Sequence, residues 1–403
     1  MPPPASVADS VGASTTPPPA PPPRSGAATR RLRRHAAPRL PPPPRRLRRR
    51  AAPPPRSAAA PIRRRRAPRD NDAVPPTAAV TATRAAVRRL LGSAEASPSA
   101  PLGAVAVACS GGADSLALAA ATTHVARRRD IAVHGLVVDH GLQEGSADVA
   151  SRAAEQLEEL GCDVVRVLPV EIGREGGPEA AARRARYAAL DAARPAGAPV
   201  LLGHTRDDQA ETVLLGLGRG SGARSIAGMR PVDLPWLRPF LDVTRDTTLA
   251  ACEALGLRPW QDPHNSDAKF TRVRLRAEVL PLLEEVLQGG VASALARTAV
   301  QLREDADALD EVAADVRKRV EDGDALDAAA LSAGPPAVRR RVLRGWLLDQ
   351  GVREVSDAHL RAADALVGHW KGQGPHALPG GFVLRRTHGT LRVEVAVKQP
   401  PDY

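Results

Sequence analysis

The sequence predicts a doubly wound α/β domain with a parallel sheet, followed by a smaller, mainly helical domain and preceded by a disordered extension. Three observations carry that reading. Four short apolar runs alternate with helix-length segments between residues 104 and 204. The pattern turns to long helical periodicity after Leu287, and the first 80 residues are almost bare of aromatic and large aliphatic side chains. The boundaries expected from these shifts are 1–80, 81–287 and 288–403.

Residues 1–72 hold 17 arginines against three acids, Asp9, Asp70 and Asp72, a net +14 in a chain whose total is +12, which leaves the rest at −2. The basic character therefore belongs to the extension. A segment of proline, arginine and alanine cannot bury enough apolar surface to offset the entropy of ordering its backbone. Several readings stay open for it: a solvated extension without a fixed role, an arm that neutralises nucleic-acid phosphates, an Arg-rich transit peptide, or a true translation start downstream near Val74 or Val80.

The globular pattern begins at residues 79–92, an amphipathic helix with Val80, Ala85, Val87, Leu90 and Leu91. AVAVAC (104–109), IAVHGLVVDH (131–140), DVVRVLPV (163–170) and PVLLGH (199–204) are the apolar runs, and helices are expected over 115–127, 145–160 and 179–193. Continuous apolar strands separated by helices are what a parallel sheet covered on both faces requires. Such sheets bind ligands beyond the carboxyl ends of their strands. Beyond 291 the chain reads as helices over 291–320 and 335–370, ending in a two-stranded hairpin with Thr387, His388 and Gly389 at its turn.

No run of 18 apolar residues occurs, so neither a membrane span nor a membrane partner is expected, and a cytoplasmic protein is. Cys109, Cys162 and Cys252 are far apart, without a CxxC pair, and read as buried apolar residues rather than zinc ligands or disulfides.

The polar clusters fall at strand ends: SGGADS after the first run, DHGL after the second, GHTRDDQAET after the fourth. In SGGADS, Gly111 and Gly112 let the backbone turn sharply and approach a ligand, while the helix that follows offers unpaired N–H groups to an anion. The alternative is a plain turn capped by Ser110 or Asp114. The lysine of a Walker A loop is missing. Asp207 and Asp208 form a carboxylate pair suited to a hard cation or an ammonium, or else a helix N-cap. Glu211 lies one turn onward.

SGGADS resembles the signature of the PP-loop ATP pyrophosphatases, Rossmann-like enzymes that split ATP between the α and β phosphates. VDHGLQ (138–143), the E-x-x-A-R-x-x-R-Y pattern from Glu179 to Tyr187, GHTRDDQAET (203–212), RGSG (219–222), W-x-x-DP-x-N-x-D from Trp260 to Asp267, and RVRLR-x-EVLP (272–281) follow in order. Together they resemble the tRNA(Ile)-lysidine synthetase family, strongly over 83–290 and more loosely over 291–385. Three positions depart from its pattern: His264 stands where a Ser or Thr is usual, Gln143 where Arg is common, and Val273 where Asn is frequent.

The resemblance implies a ligase that uses ATP and Mg²⁺ to join free L-lysine to carbon 2 of the wobble cytidine in tRNA(Ile) with a CAU anticodon, through an adenylated cytidine. It further implies that Ser110, Gly111, Gly112, Ala113, Asp114 and Ser115 hold the nucleotide. Asp114, Asp207, Asp208 and Arg183 would be the catalytic residues, with Asp114 and Asp207 holding the metal. His204 or a carboxylate would take the lysine proton. The oligomeric state stays open, a homodimer included.

A near-neutral body must bind tRNA through local basic patches, expected at 183–186, 219–230, 272–276 and 339–344. Arg272, Arg274 and Arg276 alternate, which suggests an extended segment presenting one charged side. The rivals are a thiolating PP-loop enzyme, for which paired cysteines are missing, and a catalytically silent basic RNA-binding protein, against which the intact SGGADS and DDQAET stand.

Overall fold

The computed structural model describes residues 77–95, 102–141, 145–173, 177–220, 222–263 and 267–396. Most of the expected extension, together with Gln143, Ser221, His264 and Asn265 of the motifs, lies outside the described residues.

Helix α1 (Ala78–Glu95) opens the first domain, its first three residues inside the stretch assigned to the extension. It is followed by β1 (Ala104–Cys109), α2 (Ala113–Arg127), β2 (Ala132–Asp139), α3 (Ser146–Leu160), β3 (Val164–Pro169), α4 (Pro178–Ala193), β4 (Val200–Leu201) and α5 (Arg206–Arg219). The short helix α6 (Ala223–Ile226), the strands β5 (Val232–Asp233) and β6 (Trp236–Leu237), and α7 (Arg245–Ala254) complete the sheet and its cover.

The strand order is β3-β2-β1-β4-β6-β5, parallel throughout except for the edge strand β5, which runs antiparallel to β6. Side chains of β1 alternate between the two faces: Val105 and Val107 join the core under α1, α2, α3 and α7, while Ala106 packs with Leu136, Leu190 and Val200 under α4. Both faces are dry, which is why the strands read as unbroken apolar runs. After β1 the chain builds outward through β2 and β3, then returns with β4 to β1's other side. The carboxyl ends of β1 and β4 therefore flank a switch in strand order, where such sheets form their ligand crevice.

The segment carrying Arg272, Arg274 and Arg276 is helical, not extended: α8 (Thr271–Arg274), a π-helical turn (Leu275–Val279) and α9 (Leu280–Val286) run on continuously. Residues 272 and 276 are then four apart on one face and reach the same carboxylate, Glu211, while Arg274 turns to Glu278 at 2.9 Å. The alternation was a helical repeat sampled at every second residue.

The second domain starts with the 30-residue helix α10 (Val291–Val320) and continues through β7 (Glu321–Asp322), β8 (Ala325–Asp327), α11 (Ala328–Ser332), α12 (Pro336–Asp349) and α13 (Asp357–Gly368). It closes with β9 (His376–Leu378), β10 (Phe382–Thr387) and β11 (Thr390–Val395). The expected hairpin is present, with His388 and Gly389 at its turn, but it belongs to a five-stranded antiparallel sheet ordered β7-β8-β11-β10-β9. Leu326, Leu384 and Leu391 of that sheet pack on Trp346 and Leu347 of α12, all fully buried.

Helix α10 also grips the first domain. Its Arg303 donates to the carbonyls of Ala227 and Met229 (2.7 and 2.8 Å), Asp307 pairs with Arg230, and Asp310 accepts from both Arg224 (2.6 Å) and Arg341 of α12 (2.9 Å). Met229 is in turn clamped by the Gln209 side chain of α5, which accepts from its N–H (2.7 Å) and donates to its carbonyl (3.0 Å). Members of two expected RNA-facing patches are thus engaged in ion pairs within the protein, Arg224 and Arg230 while still about half exposed. Arg224, Arg230 and Arg341 join elements, and Arg339 forms a buried pair with Asp364.

Candidate active site

At the end of β1 the chain turns through Gly111, with φ +82°, and Gly112 becomes the N-cap of α2 without any side-chain cap. Neither Ser110 nor Asp114 caps the helix. The loop is shaped instead by Ser115, whose hydroxyl donates to the Gly112 carbonyl (2.9 Å) and accepts from the Ser110 N–H (3.1 Å). The Gly111 carbonyl accepts the Trp260 N–H at 2.9 Å, which turns that oxygen toward the protein. The first backbone bond into the helix runs from Leu116 to Gly112, leaving the N–H groups of Ala113, Asp114 and Ser115 without helical acceptors at the positive end of α2.

Gly203, just past β4, closes the loop from behind. A Cβ there would stand 3.1 Å from the Asp114 carbonyl carbon and oxygen and 3.2 Å from the Ser115 nitrogen. Gly203 opens the GHTRDDQAET motif, where nothing in the local sequence signals that contact.

Asp207 and Asp208 lie in the first turn of α5 rather than on a strand end. Thr205 is the N-cap and Asp208 completes a capping box, its Oδ2 accepting from the Thr205 N–H (2.8 Å) and hydroxyl (3.0 Å). Asp208 therefore belongs to the cap as its third helical residue, while Thr205 is the N-cap itself, and the other oxygen of Asp208 faces Arg245. Asp114, Asp207 and Asp208 converge on one residue that the sequence reading missed, Arg245. Its Nη2 lies 2.9 Å from Asp208 Oδ1, its Nε 3.4 Å from Asp114 Oδ2, and its backbone N–H donates to Asp207 Oδ2 at 2.9 Å. The Thr248 hydroxyl makes a close hydrogen bond to Asp114 Oδ1.

Burial pushes the Asp114 carboxyl up, against the opposing pull of Thr248 and Arg245. Burial acts on Asp208 too, yet Arg245, the Thr205 N–H, His204 and Arg276 together hold it below the usual range. Glu211, with a fully buried side chain, is pushed up by burial although Arg276 (2.8 Å) and Arg272 (3.4 Å) both reach it. Among the described residues no group of three His, Cys, Asp or Glu is placed to hold a metal ion.

Arg183 is exposed and turns along its own helix, Nη2 donating to the Tyr187 hydroxyl (3.1 Å) with the guanidinium 4.8 Å from the ring centre. Tyr187 packs edge-on against Trp236, ring centres 4.6 Å apart. The acidic cluster takes its cations from Arg245, Arg272 and Arg276 instead. His204, Arg186 and His140 each bury a ring or guanidine nitrogen without a hydrogen-bond partner among the described residues. Burial drops His204 to about 4. The three cysteines are buried and form no disulfide, and burial lifts all three thiols, that of Cys252 to about 12.

Residues 84–283 match the family described as a PP-loop domain, and residues 326–392 match a TilS substrate binding domain. The chain is 56% identical over 326 residues to the tRNA(Ile)-lysidine synthase of Rhodococcus jostii, an alignment covering 79% of this chain and 97% of that one. It is 57% identical to the synthase of Nocardia farcinica (74% and 93% covered) and 57% identical to that of Mycobacterium tuberculosis (69% and 85%).

Proposed function

The chain belongs to the tRNA(Ile)-lysidine synthase family, ATP-using ligases that modify tRNA, and from that premise we propose how its residues divide the work. The substrates are ATP, free L-lysine and the wobble cytidine of a CAU-anticodon tRNA(Ile). The carbon-2 carbonyl oxygen of the cytidine attacks the α-phosphate, pyrophosphate leaves, and the lysine ε-amine then displaces AMP from carbon 2. The setting is the cytoplasm.

The N–H groups of Ala113, Asp114 and Ser115, with Ser110 and the two glycines shaping the turn, receive the phosphates. Negative charge grows on the pyrophosphate as it departs, and fixed backbone donors stabilise it without reorganising. The donor set at the loop mouth fits a Mg²⁺ that arrives with the nucleotide, because such an ion keeps several waters and asks for only one or two carboxylates, here Asp114 and Asp207. Bound there, it would neutralise phosphate charge.

Asp208, ionised and facing Arg245, belongs with Asp207 to the subsite for the lysine ammonium. His204 is not assigned as the base, since a group that protonates only near pH 4 cannot hold the lysine proton at neutral pH. Arg183, exposed and stacked on Tyr187, is assigned to phosphate or RNA. One observation carries the reading: a single guanidinium, Arg245, joins the phosphate loop to the acidic pair, so nucleotide and amine subsites form one continuous site.

The test incubates the protein with radiolabelled lysine, ATP, Mg²⁺ and CAU-anticodon tRNA, digests the RNA and identifies the modified nucleoside. Lysidine is expected, and Asp114→Asn should nearly abolish it. Pyrophosphate release without incorporated lysine would replace the amine in this scheme by another nucleophile.

A further inference from the structure

We propose that Trp370 is a rigid stacking platform for an unstacked nucleobase of the bound tRNA, remote from the phosphate loop. The inference rests on tRNA being the substrate and adds a contact that the reaction itself does not require.

Aromatic residues are scarce here: 403 residues contain three Phe, four Trp and two Tyr. Trp346 is fully buried and Trp236 packs on Tyr187, but Trp370 is 39% exposed. It lies in the segment between α13 and β9, within the span that matches a substrate binding domain. An exposed indole is ordinarily free to move. This one is fixed from two sides.

The Gln373 side chain bridges the backbone on either side of it, accepting the Lys371 N–H at 2.6 Å and donating to the His369 carbonyl at 2.7 Å. The Arg386 guanidinium lies 5.1 Å from the ring centre and is itself anchored, Nη1 donating to the carbonyl of Leu366 at 2.7 Å, in the last turn of α13. The backbone and the backing cation of an exposed ring are therefore set in place before any ligand arrives, which lowers the entropy lost on binding.

The chemistry that fits is a nucleobase. Its π-face stacks on an indole whatever the base, and Lys371, the next residue in the chain, adds a positive charge suited to the adjoining phosphate. Bases inside a duplex are already stacked, so the occupant comes from a loop or a chain end. In this domain Arg339 and Arg341 are taken up by Asp364 and Asp310, and the indole offers RNA a contact that does not depend on them.

The experiment measures the Kd of full-length protein for unmodified CAU-anticodon transcript, together with KM for ATP. Trp370→Ala should weaken binding about ten-fold, the usual worth of one stacked base. Trp370→Phe should keep most of it, Gln373→Ala should lose part, and KM for ATP should stay put in all three. Unchanged melting temperatures show that the exposed substitutions leave the fold intact. Wild-type affinity in Trp370→Ala overturns the platform, as does equal competition by a blunt, fully paired duplex. Failure of the wild type itself to bind the transcript is a separate result and sinks the tRNA reading beneath it.

Discussion

The guanidinium of Arg245 lies 2.9 Å from one carboxylate oxygen of Asp208, and it also reaches Asp114 on a different helix. Removing it leaves two partly buried acids facing each other, and the start of α2 and the start of α5 lose the cation they share. Arg245→Met should lower kcat about ten- to hundred-fold, the range for residues that orient a catalytic group. Arg245→Lys should recover part of that, because an ammonium keeps the charge but not the fork that spans two carboxylates. Steady-state pyrophosphate release reads both.

Gly203→Ala tests the close approach behind the loop. The new methyl would meet backbone rather than a side chain that can swing away, so the start of α2 must shift. A rise in KM for ATP is expected, with a stability loss of about 1–3 kcal/mol by urea unfolding. Unaltered KM would mean that the loop tolerates the displacement.

Arg339 and Asp364 form a two-pronged pair (2.7 and 3.0 Å) with side chains only 8% and 10% exposed. Asp364→Ala strands a buried guanidinium and should cost about 3–5 kcal/mol, whereas replacing both residues by apolar ones of similar volume should cost far less. Denaturant titration of the three variants separates these outcomes.

Acid sensitivity should have an identifiable source in His204. Its folded pKa, about 4, lies below the ordinary 6.5, so between those values the unfolded chain binds the extra proton and the folded one does not. Its contribution is intact above pH 6.5 and is lost as pH falls toward 4. His204→Gln should flatten the pH dependence of unfolding in that window. An unchanged slope would assign the loss to other groups.

Deleting residues 1–76 removes the arginine-rich segment while leaving a body near neutrality. The dependence of tRNA affinity on salt concentration should become shallower, with the modified nucleoside unchanged, because phosphate neutralisation carries no base identity. A changed product in the digest would contradict that division.

Much of this was legible in the chain. Apolar runs marked the strands because both sheet faces are dry, and the glycines of SGGADS marked the loop because φ +82° at Gly111 excludes most other residues. What escaped were relationships between distant segments. Arg245 gains meaning only when α7 packs beside α2, although its setting, Thr244-Arg245-Asp246, echoes Thr205-Arg206-Asp207, and both threonines prove to be N-caps. The arginines at 272–276 misled because a two-residue spacing fits both a strand face and a helix sampled sparsely. Gly323-Asp324 is a hairpin turn that helical neighbours obscured, and the strands it joins, β7 and β8, turn the expected hairpin into a sheet.

Helix α10 spans 30 residues, about 45 Å at 1.5 Å each, and is bolted at Asp307 and Asp310 to the segment that Gln209 holds against α5. A strut of that stiffness sets a fixed reach. An RNA that touched both the SGGADS loop and the second domain would have to present those two points at that set separation.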